Sequence, residues 1–250
     1  MARTFKVLSA LLSYPTEAII TAVPAMAEVL QSEALLSRRQ LDRLEVLLDE
    51  LVTLDLYDCQ ERYGLLFDRT RSLSLHLFEH VHGESRDRGQ AMVDLMQVYE
   101  RAGMEIGASE LPDYLPLFLE FLSTQRLPEA LDLLSQPAHI LAALAERLGK
   151  RQSSYAAVFD ALARLAEADP RTAEVQQLVA LPDDDPNDLE ALDAAWMDEE
   201  VRFGPGAQDQ CGKDSLIPKL RAARRPAPGI EPAVAGGPRT IVTHSPARPR

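Results

Sequence analysis

The sequence predicts an all-α fold: a single compact domain of about nine helices over residues 1–203, followed by a disordered tail over 204–250. Three observations lead there. Apolar residues recur at three- and four-residue steps through almost the whole body, apolar/polar alternation is almost absent, and short polar turns carrying cap residues, proline or glycine separate the periodic stretches.

Taken in order, FKVLSALLSY forms a short amphipathic helix that stops at Pro15, and EAIITAVPAMAEVLQS follows it. The clearest amphipathic helix is SRRQLDRLEVLLDELVTL, where Leu41, Leu44, Leu47, Leu48 and Leu51 share a face behind a Ser37 cap. Next come DLYDCQERYGLLFDRT, with Asp55 as its cap, and LSLHLFEHVH, stopped by Gly83. DRGQAMVDLMQVYERAG then places Met92, Leu95, Met96 and Tyr99 on one stripe. PDYLPLFLEFLSTQ, PEALDLLSQPAHILAALAERLGKR and SSYAAVFDALARLAEAD complete the helices up to Pro170. None of the common helical-repeat periods is present, which argues against a solenoid. After Leu181 the chain turns acidic, and Trp196, Val201 and Phe203 are expected to dock on the body while the carboxylates stay solvated.

Charge divides at the tail boundary. The 47 residues from Gly204 contain 8 Pro and 6 Gly without apolar periodicity, a disorder-prone composition. They carry 8 Lys and Arg against 3 Asp and Glu, so of the chain's 26 basic and 39 acidic residues the body keeps 18 and 36. An acidic body repels nucleic acid and anionic membrane surfaces and favours basic partners. The two cysteines, Cys59 and Cys211, offer neither a disulfide framework nor a CxxC site, which fits a reducing cytoplasm. Arg3 and Lys6 before VLSALLSY, with AMA at 25–27, imitate a secretion signal, but Ser9, Ser13, Pro15, Thr16 and Glu17 interrupt the apolar run. No run approaches the length of a membrane span, so no stable membrane association is expected.

Chemistry concentrates in HLFEHVHGESRDRGQAM, residues 76–92, which holds three of the five histidines. His76, Glu79 and His80 spell H-x-x-E-H, a zinc-protease pattern that sets two imidazoles one helical turn apart with a carboxylate beside them. No third ligand is marked, and His82 falls on another helix face. The alternatives are a half-buried helix end favoured by the C-terminal dipole, or partner recognition. The loop GESRDRG is either a capped corner with internal ion pairs, or a site where Arg86 and Arg88 offer guanidinium forks to a carboxylate or phosphate. Glycine-rich nucleotide motifs, nucleophile elbows and basic-aromatic nucleic-acid patterns are absent.

SLHLFEHVHGESRDRGQAM, followed by ELPDYLPLFLEFLS from Glu110 to Ser123, resembles the NarJ-type assembly chaperones of respiratory nitrate reductase, within the TorD/DmsD-like group. YGLLF at 63–67 and LSYP near the start are similar to that family too, and the resemblance covers residues 3–203. It implies an all-helical cytoplasmic chaperone without catalytic residues, metal or cofactor of its own. The implied partner is the apo catalytic α subunit of nitrate reductase, held by its N-terminal segment during molybdenum cofactor insertion, with membrane attachment delayed until loading is complete. Molybdenum cofactor biosynthesis proteins are further implied contacts.

The group's E-x-P-D-H motif matches at Glu110, Pro112 and Asp113, with Tyr114 where histidine is common. Tyr63 and Phe67 match the aromatic positions of a neighbouring family helix. The expected client surface is therefore a groove between the YGLLF and PDYLPLFLEF helices, formed by Tyr63, Phe67, Tyr114, Leu115 and Phe118, with His76, Glu79, His80, Arg86, Arg88, Glu110, Pro112 and Asp113 along its border. The same apolar positions would suit an ordinary helical core. Two other readings stand beside the chaperone: a zinc-dependent hydrolase using His76–His80, and a helical adaptor without a molybdoenzyme client.

Overall fold

Local signals set most helix boundaries in the computed structural model, which describes residues 2–82, 86–107, 110–181 and 239–241, with the backbone alone for His82, Arg86 and 239–241. The first helix, α1 (Arg3–Leu11), has no side-chain cap at Ala2. A carboxylate from the far end of α2 (Glu17–Glu33) meets its free N–H groups instead. Glu33 accepts from the Arg3 and Thr4 N–H groups at 2.8 Å each and from the Thr4 hydroxyl at 2.9 Å. Burial works to raise the Glu33 pKa, but these bonds outweigh it and hold the carboxyl below its ordinary value.

Helix α2 starts on the Thr16 hydroxyl, passes through Pro24 and ends at Ala34, whose φ of 51° is left-handed. The expected caps are in place on the next two helices. In α3 (Arg38–Thr53) Ser37 and Gln40 form a capping box, and in α4 (Leu56–Phe67) Asp55 accepts from the Tyr57 N–H at 2.8 Å. α3 buries Leu44, Leu47, Leu48 and Leu51, as its spacing predicts.

The stretch after α4 departs from expectation. LSLHLFEHVH is not one helix. It comprises a 3₁₀ turn at Arg71–Leu73, an extended segment in which His76 forms an antiparallel bridge with Tyr114, and a single helical turn, α5 (Glu79–His82). Leu73, Leu75 and Leu77 are all buried, the period of two that SLSLHL spells. α6 (Arg86–Arg101) buries Ala91, Leu95 and Tyr99, whereas Met96, expected on that stripe, is exposed.

Gly103, at φ 74°, turns the chain out of α6 into a short strand, β1 (Met104–Ile106). α7 (Leu115–Thr124) begins after Tyr114 rather than at Pro112. The long segment after it breaks at Gln136–Pro137 into α8 (Leu127–Ser135) and α9 (Ala138–Lys150), because proline cannot donate to the ladder. α10 (Ala156–Leu165) follows, and α11 (Ala173–Ala180) lies beyond the last helix expected. Eleven α-helices thus occur among the described residues instead of about nine, still an all-α architecture.

α1 packs along α7 and against α2, α2 against α3, and α10 joins α9, α3 and α8, with α11 lying on α9. One main core results, which includes Phe5, Leu8, Phe121, Phe159 and Leu162, beside a small cluster of Ala142, Ala143 and Val175 between α9 and α11. Each such side chain contributes about 1.5–3 kcal/mol when fully buried. Among the described residues no helix is long and apolar enough to cross a membrane.

The expectation for the tail lies outside the described residues, apart from β2 (Arg239–Ile241), which pairs in parallel with β1. The acidic stretch with Trp196, Val201 and Phe203 lies outside them as well.

Replacing Glu33 by alanine strips two N–H groups and a hydroxyl of their acceptor, and should lower stability by about 1–2 kcal/mol in urea unfolding. Because its folded pKa is depressed, Glu33 stabilises fully above its ordinary 4.5 and loses that contribution as pH falls through the folded value. An unchanged midpoint would show that water caps α1 equally well.

Candidate functional site

The turn before α7 and the segment after the 3₁₀ turn are tied together by one side chain. Asp113 is fully buried, and its Oδ2 accepts from the Phe78 N–H at 3.1 Å while its carbonyl accepts from the Leu77 N–H at 3.1 Å. The Leu115 N–H donates to the Leu75 carbonyl at 2.8 Å, completing the bridge around His76 and Tyr114. These bonds explain the missing helix: Leu77 and Phe78 give their N–H groups to Asp113 and not to a preceding turn. A buried carboxylate is costly unless bonded, and here it accepts from the backbone and from an imidazole.

That imidazole is His76, whose Nδ1 lies 3.4 Å from Asp113 Oδ1 and whose ring stacks 5.4 Å from Tyr114. Burial works to lower the His76 pKa, but the bond to Asp113 and its charge outweigh burial and raise it. His80 behaves oppositely. Its Nε2 donates to the Ser74 carbonyl at 2.8 Å, and burial lowers its pKa, so it serves as a neutral donor. The expectation that His76 and His80 share a helix face is therefore corrected, since His76 precedes the helix and the two rings bond to different partners. Among the described residues no cluster of three or more His, Cys, Asp and Glu groups is arranged to hold a metal.

At the corner, Arg88 Nη2 donates to Glu79 Oε1 at 3.0 Å, joining α5 to α6. This is the internal pairing of the capped-corner reading. The Arg88 Nε is buried without a partner among the described residues. Arg86 opens α6, and its side chain lies outside the description, as do Gly83–Ser85.

The turn is held from beneath as well. The Tyr99 hydroxyl donates to the Pro112 carbonyl at 2.7 Å. The Tyr63 hydroxyl donates to the Leu12 carbonyl at 2.8 Å, leaving its oxygen 3.4 Å from the Tyr114 hydroxyl. Burial pushes both phenols up, Tyr114 to about 12, so both stay protonated. Tyr63, Phe67, Leu115 and Phe118 do not line an open groove here, for all are at most 7% exposed. Tyr63 and Phe67 belong to an aromatic cluster with Tyr14, Tyr155 and Phe159, in ring contacts of 5.0–6.4 Å. The accessible edge consists of His76, Glu79, Tyr114 and Glu110, all half-buried, with Leu111 exposed between them.

The sequence profile described as nitrate reductase delta subunit matches residues 25–161. The chain belongs to that family. It is 42% identical to the nitrate reductase molybdenum cofactor assembly chaperone NarJ of Escherichia coli K12 over 217 residues, covering 86% of this chain and 90% of that protein. It is 40% identical over 211 residues to the probable assembly chaperone NarW of the same strain, covering 84% and 88%. A probable NarJ of Bacillus subtilis matches at 33% over 162 residues, 64% of this chain and 85% of that one. The motifs at 63–67, 74–92 and 110–123 thus pointed to the right family.

For this delta subunit family member, sequence reasoning missed three supports of the site: Ser74, Tyr99 and Arg147. Ser74 gives its carbonyl to His80, and its hydroxyl accepts from the His76 N–H at 3.1 Å. Arg147 is 5% exposed and donates to the Ser72 carbonyl at 2.7 Å and to the Leu178 carbonyl, tying the segment to α9 and α11. A signal existed, since Arg147 lies seven residues after Ile140 on the apolar face of its helix.

Asp113→Ala should cost about 2–3 kcal/mol in urea unfolding, because it leaves the Phe78 N–H buried without an acceptor. A loss below about 0.5 kcal/mol would remove Asp113 as the staple. In NMR titration, the His76 ring should titrate above the ordinary 6.5 and the His80 ring below it. Consequently the stabilisation from His76 is full below 6.5 and lost as pH rises through its folded pKa. That from His80 is full above 6.5 and lost as pH falls through its own. The reverse order of titration would contradict this geometry.

Proposed function

We propose that this chain is the assembly chaperone of a respiratory nitrate reductase. It binds the N-terminal segment of the apo catalytic α subunit in the cytoplasm, keeps that subunit competent while molybdenum cofactor is inserted, and delays membrane attachment until maturation is complete. The chain performs no reaction of its own. The observation that carries this reading is the 42% identity to an assembly chaperone across 86% of the chain.

The site supports it physically. Glu79, Glu110 and Tyr114 form a half-buried acidic and aromatic edge on a body of strongly negative charge, suited to a basic amphipathic segment. Asp113 and Pro112 position that edge, and His76 joins it to the carboxylate beneath. The apolar face of the client would reach Phe118, Tyr63 and Phe67 only if the turn at 110–114 lifts from the segment at 75–78, so binding and the Asp113 staple oppose one another. His80 and Arg88 keep the corner in register on this reading.

Calorimetry with a synthetic peptide of the α-subunit N-terminus should give a Kd of about 1 μM or tighter, roughly −8 kcal/mol. Glu79→Gln combined with Glu110→Gln should weaken it by about tenfold. Affinity should also change as pH rises from the ordinary 6.5 through the raised pKa of His76, and a flat profile would remove that ring from the contact. No binding at about 100 μM peptide would count heavily against the client reading.

A further inference from the structure

β1 is a three-residue edge strand that follows α6. On one side it packs against α6, whose Tyr99 holds the Pro112 carbonyl. Its Met104 is 5% exposed and its sulfur lies 3.7 Å from the Thr124 hydroxyl of α7, so the strand is anchored to the body by its own buried side chain. The remaining backbone edge is covered from within the chain. β2 pairs with it in parallel, Met104 opposite Arg239, Glu105 opposite Thr240 and Ile106 opposite Ile241, and also touches α7. An isolated three-residue edge is a template for an extended peptide, with main-chain hydrogen bonds providing attraction whatever the side chains.

The peptide seated there belongs to a tail with 8 basic and 3 acidic residues, on a body with the opposite balance. Charge complementarity therefore favours the docking. We propose that the β1 edge is a strand-addition seat whose occupant is the chain's own tail at Arg239–Ile241, and that the seated basic tail competes with the cationic client segment for the acidic body. The seat stands on the backbone pairing alone, while the competition rests on the client reading above. Filled in this way, the seat lowers the apparent client affinity by the fraction of molecules in which the tail is docked.

The test uses the full chain carrying Thr240→Pro together with Ile241→Pro. In a parallel ladder alternate residues of a strand bond to the neighbour, so one of these two supplies the N–H to β1, and proline at both removes it in either pattern. Amide hydrogen exchange is read at Glu105 and Ile106, and peptide binding by calorimetry. In the double variant one of those two amides should exchange about tenfold faster, and the client peptide should bind about threefold more tightly. Adding peptide to the unaltered chain should accelerate the same amide. Equal exchange in the two chains overturns the seat. Faster exchange with unchanged or weaker peptide binding overturns the competition. Peptide binding to neither chain defeats the client reading and the competition with it, while the exchange comparison still decides the seat.

Discussion

The arrangement around residues 74–82 and 110–115 depends on one buried carboxylate. Asp113 accepts from the Phe78 N–H, sits against the His76 ring, and gives its carbonyl to the Leu77 N–H. A fully buried carboxylate tolerates no missing donor, so its demands dictate the path of two chain segments 35 residues apart in sequence. The segment that would otherwise wind into a helix is held extended, His76 lies opposite Tyr114, and α5 shrinks to one turn. Tyr99 beneath Pro112 and Arg147 beneath Ser72 hold the two sides to α6 and α9, so the staple joins elements already fixed to the core.

This arrangement bears on how the chain would work under the proposed function. On the proposed function, an edge that meets a client over an apolar cluster needs a way to keep that cluster closed before the client arrives. Here the aromatic rings of α4 and α10 are packed together, and the polar turn lies over their margin through the hydroxyls of Tyr63 and Tyr114. Such hydrogen bonds are individually worth about 0.5–1.5 kcal/mol, the scale on which a peptide can exchange them for its own contacts. His76 and His80 shift oppositely in this frame, because burial dominates at His80 while the Asp113 carboxylate outweighs it at His76. The corner combines a charged bond that strengthens on protonation with a buried ring whose added charge would go unsolvated.

The sequence by itself determined the helical architecture, the caps and the family. Ser37, Asp55 and the leucine stripe of α3 act through local periodicity and local hydrogen bonds, which need no distant partner to be read. The motifs at 63–67, 74–92 and 110–123 were legible for the same reason, as residue types at fixed spacing, and they pointed to the family. What those residues do to one another was not legible. His76, Glu79 and His80 look like ligands on one helix face only if the stretch is helical, and the period of two in SLSLHL was the local hint that it is not. Whether Tyr63, Phe67 and Phe118 face a groove or a core also depends on neighbours from α1 and α10 that periodicity cannot name. Tertiary structure alone decided these points, because the partner that wins each N–H, ring face or carboxylate comes from a segment distant in sequence, and burial makes satisfying the carboxylate outweigh local helix propensity.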